Sequence, residues 1–367
     1  MLAIVYHLTL SLLLAPATDA EQRVPIFAAP QAAIVVGTVV KVVPAQEYKA
    51  ATIKINRVVC GDGFQVGGEF TARTDTQEPS VRIVEPVVVP ILAKNEVAIW
   101  YVIQGQHQVH LARLREMHLD WPVRNETSPE FAAALHLGAK MKTVDEAAGE
   151  AAGIARLTEL VADPSPETSC WAVTKLAELA SRTEHADLRT LFWEYAADRK
   201  LTALARFAAD DALLRFDHDK WRASPLREQL ALECVEQVSI PREASEVAQR
   251  ISLVVQHPQL EGYSDLAKVL ALYDRAMANT KIPINNREDM VSSLPNVQKR
   301  YDDDQPAFDW LARFVRNCKE AQVQRGAAIS LANMSTTPDR VDTLRKLVPL
   351  IKDHGAKRHA LTVTEGG

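Results

Sequence analysis

The sequence is poor in the patterns that announce chemistry. It has only four cysteines in 367 residues. Cys60, Cys170, Cys234 and Cys318 lie far apart and form no CxxC pair, so the spacing of a zinc site is missing. No GxSxG, HExxH or P-loop pattern occurs, which removes the commonest signatures of hydrolases, zinc peptidases and nucleotide-binding enzymes. A basic balance is missing too. The net charge of −5 argues against broad phosphate binding, and so against nucleic acid as a partner. Long apolar runs are scarce, and beyond the N-terminus no segment approaches the 18 or so residues of a membrane span. From these absences no catalytic, cofactor-binding or metal-ligating residue is assigned, and no cofactor is expected.

What is present begins with residues 33–73, the densest run of strand signal in the chain. Ala51, Ile53 and Ile55 alternate with Thr52, Lys54 and Asn56, the period of two of a half-buried strand. Val39, Val40, Val42 and Val43 are β-branched and precede Pro44. Gly37 interrupts the first strand, where a glycine marks a bulge or bend. Gly61-Asp62-Gly63 and Gly67-Gly68 supply turn chemistry. Phe70 and Ala72 share a face of a third strand. Strands at 97–103 and 108–114 read as a hairpin across Gln104-Gly105-Gln106. About five strands in roughly ninety residues suit a small barrel or sandwich. Between them, residues 74–95 carry Pro79, Pro86 and Pro90, which exclude a regular central strand, yet are too apolar to stay solvated.

The content of 47% hydrophobic and 24% charged residues is that of a globular chain, and the length suits two domains. Residues 1–20 read as a signal peptide, with an apolar core at 8–14 and cleavage after Ala17 or Ala20, although the segment before that core lacks Lys and Arg. The alternative is a buried N-terminal strand or helix. No cysteine follows the segment, which counts against a lipid anchor. The expected product is exported, periplasmic or extracellular, with no membrane span after signal removal. Export permits disulfides. Cys234 and Cys318, however, fall on apolar helical stripes, where a free cysteine acts as a small hydrophobe.

The expected order is a small β-barrel at 28–119, a linker at 120–143, a helical domain at 144–354 and a disordered tail at 355–367. Within 120–143, Ser128-Pro129 restarts the pattern, and 131–137 reads as one helix. Leu266, Val269, Leu270, Tyr273 and Met277 fit one helical face. So do Phe308, Leu311, Ala312, Val315 and Cys318, and also Leu344, Leu347, Val348 and Ile351. Ser165-Pro166, Ser224-Pro225 and Thr337-Pro338 each set a hydroxyl cap before a proline at the first helical position. Helices of ten to sixteen residues with short breaks suit antiparallel pairs.

Two resemblances follow from these residues. Trp171-Ala172-Val173-Thr174-Lys175-Leu176-Ala177-Glu178-Leu179 and Gln324-Arg325-Gly326-Ala327-Ala328-Ile329-Ser330-Leu331-Ala332 share small residues followed by Leu and Ala at helical spacing. That pattern resembles the second helix of HEAT-like repeats, and it implies an α-solenoid. The start signals are unevenly spaced, so an irregular bundle stays open. Ile34-Val35-Val36-Gly37-Thr38-Val39, the strand at 51–59 with Gly61, Val66-Gly67 and the later strand with Trp100-Tyr101 resemble the netrin-like group of OB-type barrels. The chain lacks the N-terminal cysteine of that group's metalloprotease inhibitors, so inhibition does not carry over. The fold class expected is α+β multidomain, a small OB-like or netrin-like barrel followed by a HEAT-like array.

Several clusters have the residue types of a site. His107 and His110 are three apart in a strand and point to opposite faces, so they cannot share a metal. Asp217-His218-Asp219 beside Trp221 suits acid–base work, but it falls where a helix ends, among charges typical of a solvated turn. Tyr301-Asp302-Asp303-Asp304 reads as an acidic helix start rather than a calcium loop. Trp100, Trp121, Trp171, Trp193, Trp221 and Trp310 do not cluster and read as core anchors. Asn125-Glu126-Thr127 and Asn333-Met334-Ser335 match the glycosylation pattern, the second inside an expected helix. The functional expectation is a non-enzymatic binding or scaffold protein whose helical array meets another protein or an envelope component. The alternative is an enzyme or lyase accessory with a cleft near 217–219. Nucleic-acid binding by the barrel runs against the acidic balance and the export signal.

Overall fold

A computed structural model of the chain describes residues 24–26, 32–44, 48–75, 93–104, 109–111, 122–238, 241–256 and 265–365. The expected signal segment, most of 74–95, His107 and Trp121 lie outside these residues. The chain divides into two compact units, Met1–Leu176 and Ala177–Gly367. An N-terminal antiparallel sheet is followed by a mostly helical region.

The first unit is built on β1 (Ala32–Pro44), β2 (Tyr48–Gly61), β3 (Glu69–Asp75), β4 (Val97–Gln104), β5 (Val109–Leu111) and β6 (Val123–Arg124). The strand order is β3-β2-β1-β4-β5, with β6 on β4, and all pairings are antiparallel. The expected hairpin is β4–β5. The ends of the order approach one another, since β3 and β5 are themselves neighbours. The alternation at 51–56 holds. Ala51, Ile53 and Ile55 are buried, while Lys54 and Asn56 are exposed. Gly37 sits at a register shift between β1 and β2, and a Cβ there would lie 2.4 Å from Ile53 Cγ2. Only glycine lets the bulged strand lie so close to its neighbour. Gly61, Gly63 and Gly67 take positive φ as turn residues.

One sheet face holds an apolar cluster of Val35, Val39, Ile53, Ile55, Phe70, Trp100 and Val102, with Phe70 edge-on to Trp100 at 5.7 Å. Ile34, Ile99 and Tyr101 point to the other face and are buried as well. The cover there is α1 (Pro129–Asp145), which packs on β2, β4 and β6. A sheet covered on both faces needs continuous apolar strands, and the all-buried run at 32–35 is one. The stretch expected as a linker, 120–143, therefore carries β6 and most of α1. Ser128 caps that helix by accepting from the Phe131 amide at 3.1 Å. Then follow α2 (Glu150–Leu160) and α3 (Pro166–Ala180), the latter crossing the division between the units.

The second unit continues with α4 (Leu191–Ala197), α5 (Ala203–Phe216), α6 (His218–Arg222), α7 (Pro225–Gln237), α8 (Pro241–Gln256), α9 (Leu266–Ala278) and α10 (Ile284–Ser293). It ends with α11 (Gln305–Asn317), α12 (Ala321–Met334), α13 (Pro338–Leu347) and α14 (His354–Glu365). Helices begin at Pro166, Pro225 and Pro338 as expected. Ser165 and Ser224 cap through their hydroxyls, while Thr337 makes no side-chain cap. The three expected apolar faces are buried apart from Met277 and Cys318, which are half-exposed. The tail expected at 355–367 is instead α14, anchored by buried Ala356, Ala360 and Thr364 one turn apart.

The helices form consecutive pairs, α4/α5, α7/α8, α9/α10, α11/α12 and α13/α14. The first helices of the pairs neighbour one another in chain order, and so do the second helices. Gly326 makes one step of the second row very close, since a Cβ there would meet Glu288 Cγ and Ser292 Oγ of α10 at 2.9 Å.

Candidate interaction surface

The fourth residue of three second helices carries the same device. Arg206 in α5, Arg287 in α10 and Gln324 in α12 each donate back to a carbonyl at or just after the end of the preceding helix: Ala196 at 3.0 Å, Ile282 at 3.0 Å and Val315 at 2.9 Å. Each also reaches forward. Arg206 bonds Gln237 and Glu233 of α7, Arg287 holds Glu320 with two nitrogens, and Gln324 bonds Leu350 O and the Lys352 amide. All three side chains are buried. A helix leaves its last carbonyls unpaired, so Arg206 and Gln324 satisfy helix ends, Arg287 satisfies a carbonyl of the loop after α9, and all three stitch one pair to the next. Burial pushes the Glu233 carboxyl up, but the hydrogen bonds from Arg206 and Gln229 and the charges of Arg206 and Arg199 together outweigh it and hold the group below the usual carboxylate range.

Toward solvent, the second helices are cross-linked by a row of polar contacts. Arg250 of α8 bonds Asp210 at 3.0 Å and Asp211 at 2.6 Å, both on α5. Asn286 donates to Ser245 at 3.2 Å, and Gln322 to Asn285 at 2.5 Å. Arg325 grips Glu288 with two nitrogens, and His359 meets Asn333 at 3.0 Å. Beneath this row, Asp210 also accepts from the Trp221 indole at 2.7 Å and from Arg227 at 3.2 Å. Burial works against the Arg250 charge, but Asp211 and Asp210 more than offset it and hold the proton firmly. Amides, guanidiniums and paired carboxylates in such a row can recognise a partner's polar groups.

At the far end of the row, a pocket of about 430 Å³ is lined by Ala321, Gln322, Arg325, Lys352, Asp353 and His354. It opens between the starts of α12 and α14. Sequence reasoning reads Arg325 only as part of the HEAT-like stretch and does not assign the other lining residues to a site. The signal available was the charge run Lys352-Asp353-His354-Gly355-Ala356-Lys357-Arg358-His359.

The clusters singled out in the sequence do not converge. Asp217 ends α5, and its carboxylate accepts from the Trp193 indole at 2.9 Å. His218 and Asp219 are exposed, and their side chains meet at 3.0 Å. Asp303 and Asp304 open α11, and Asp304 is held by Arg340, whose hydrogen bond draws its carboxyl below the usual range. All four cysteines are free; burial pushes the thiols of Cys60 and Cys234 up to about 12, far from thiolate chemistry. Trp100, Trp171, Trp221 and Trp310 are buried and Trp193 half-buried. Asn125 is exposed in a turn closed by Thr127, whereas the Ser335 hydroxyl of the second glycosylation pattern is buried on Leu331 O. Among the described residues no group of three or more His, Cys, Asp or Glu could hold a metal ion, and no helix is long and apolar enough to cross a membrane. No family model, no curated protein and no solved structure matches the chain.

Proposed function

We propose that the chain is an exported, non-enzymatic binding or scaffold protein, in which a small OB-type or netrin-like barrel precedes a HEAT-like α-solenoid, and the array meets a protein or cell-envelope partner. The barrel reading is supported by five antiparallel strands whose order brings β3 back beside β5. The solenoid reading is supported by helix pairs in which first helices follow first helices and second follow second. The observation that carries the function is the solvent-facing row of polar cross-links along the second helices. It presents many recognition groups on a preorganised surface.

Capture tests this reading. Full-length chain, expressed in its own cells and recovered from the envelope fraction with an N-terminus near Thr18 or Glu21, serves as bait. Comparison is with Ser245→Arg/Asn285→Arg, two exposed changes on the row. The expected result is a discrete partner captured by the first and lost by the second. Equal capture by both, or an intact Met1 in a cytosolic fraction, overturns the proposal.

A further inference from the structure

The pocket beside α12 and α14 sets Arg325 and Lys352 against one carboxylate, Asp353, in a chain of net charge −5. Three groups in or near it are already committed. Arg325 is neutralised by Glu288, and Asp353 is turned onto its own helix, where it caps the Ala356 amide at 2.8 Å. The Lys352 amine is held by two neutral carbonyls, Lys319 O at 2.8 Å and Cys318 O at 3.3 Å, so its position is fixed while it makes no ion pair among the described residues. His354 lines the same pocket. Lys357 and Arg358 lie three and four residues further along α14, on the helix face that His354 begins. Neither makes an ion pair among the described residues. The opposite wall is the start of α12, whose cap residue Glu320 is spent on Arg287 and leaves the first turn without a side-chain cap. An amine and a guanidinium that make no ion pair among the described residues, with the His354 ring beside them, thus line or flank a pocket between two helix starts.

We infer that this end of the helical unit docks an acidic polypeptide segment, one carboxylate entering the pocket and its neighbours running along His354, Lys357 and Arg358. The inference rests on the binding-protein reading above and gives its partner a chemistry. A carboxylate suits the site better than a polyphosphate. The rim keeps Asp353 and the Glu288–Arg325 pair, which repel dense negative charge, and the chain as a whole is acidic. The volume admits one or two side chains, not a folded domain.

The test is fluorescence anisotropy on the full chain with a labelled hexaglutamate peptide, and with hexalysine and a six-nucleotide thymidine strand as comparison. Lys357→Glu/Arg358→Glu places two acids in the first turns of α14, where the helix dipole favours them, so the fold is kept. Lys41→Glu/Lys94→Glu makes the same change of net charge on exposed residues of the first unit. The expected result is hexaglutamate binding that weakens at least tenfold in the α14 variant, stays within twofold in the other, and falls with added salt. No binding, equal loss in both variants, or tighter binding of the oligonucleotide overturns the inference. Partner capture that survives Lys357→Glu/Arg358→Glu removes this site while leaving the binding-protein reading intact.

Discussion

The two units of this chain solve the same problem by different chemistry. In the sheet, backbone hydrogen bonds run between strands, so β1 is placed against β2 and β4 residue by residue. Side chains are then free to be apolar, and the cluster around Trp100 and Ile53 is. In the helices the backbone bonds are consumed within each element. Nothing in the main chain says how far one helix slides on the next. That task passes to side chains, and the second unit buries Arg206, Asp210, Arg227, Arg287 and Gln324 to perform it. Polar groups in a core are costly unless paired, and here Arg206, Arg287 and Gln324 are paired with carbonyls and with groups on the next helix pair. The lesson is that register is bought once, by whichever groups have bonds to spare.

The sharpest way to break this comparison is Arg206→Ala. It strips the Ala196 carbonyl and the Glu233 carboxylate of their buried donor. The expected loss is about 3–5 kcal/mol, the cost of removing one partner of a buried ion pair. Urea titration of the full chain followed at 222 nm should show the helical transition moving to lower denaturant. A shift worth under about 1 kcal/mol would mean that apolar packing alone sets the helix register.

The matching test in the sheet is steric rather than polar. Gly37→Val places atoms within the reach of Ile53 Cγ2, already 2.4 Å from an ideal Cβ. The expected cost is about 1–3 kcal/mol from overpacking and a displaced bulge. Near-ultraviolet circular dichroism of the Trp100 environment reports it. Gly37→Val joined with Ile53→Ala should recover part of the loss; additive losses would place the strain elsewhere.

These contrasts also explain what could be read in advance. A period of two is written in the residues themselves, so 51–56, the Gly37 bulge and the β4–β5 hairpin were legible. Hydroxyl-proline starts at Pro166, Pro225 and Pro338 were legible for the same local reason. Two helices were understated although their periodicity was present. Phe131, Ala134, Leu137, Gly138 and Met141 mark α1, but Pro122 and Pro129 suggested a connector. Ala356, Ala360 and Thr364 mark α14, but the stretch from Gly355 reads as a tail. The stitches were not legible, because the meaning of Arg206, Arg287 and Gln324 depends on carbonyls 5–10 residues back and acceptors, for the two arginines, 27–33 residues on. An arginine that pins two helices has the same local sequence signature as one on the surface.

The smallest expected effect separates a buried stitch from a surface charge within one unit. Asp217, His218 and Asp219 are adjacent in sequence but differ in what they touch. Asp217 receives the Trp193 indole, and Trp193 meets Trp221 edge-on at 5.0 Å, so the carboxylate steadies an aromatic pair. His218 and Asp219 pair with each other, their side chains 48% and 102% exposed. Such a pair contributes little, because water solvates both charges in the unfolded chain as well. Asp217→Ala should therefore cost about 1 kcal/mol, the usual net worth of one hydrogen bond. His218→Ala/Asp219→Ala should stay within about 0.5 kcal/mol. Denaturant midpoints with unchanged slopes distinguish the two. The double variant should also capture the same partner as the parent chain, since neither residue lies on the second-helix row. If it keeps the midpoint but loses capture or any measured turnover, the work of the protein lies at the start of α6, and the cleft reading replaces the binding surface.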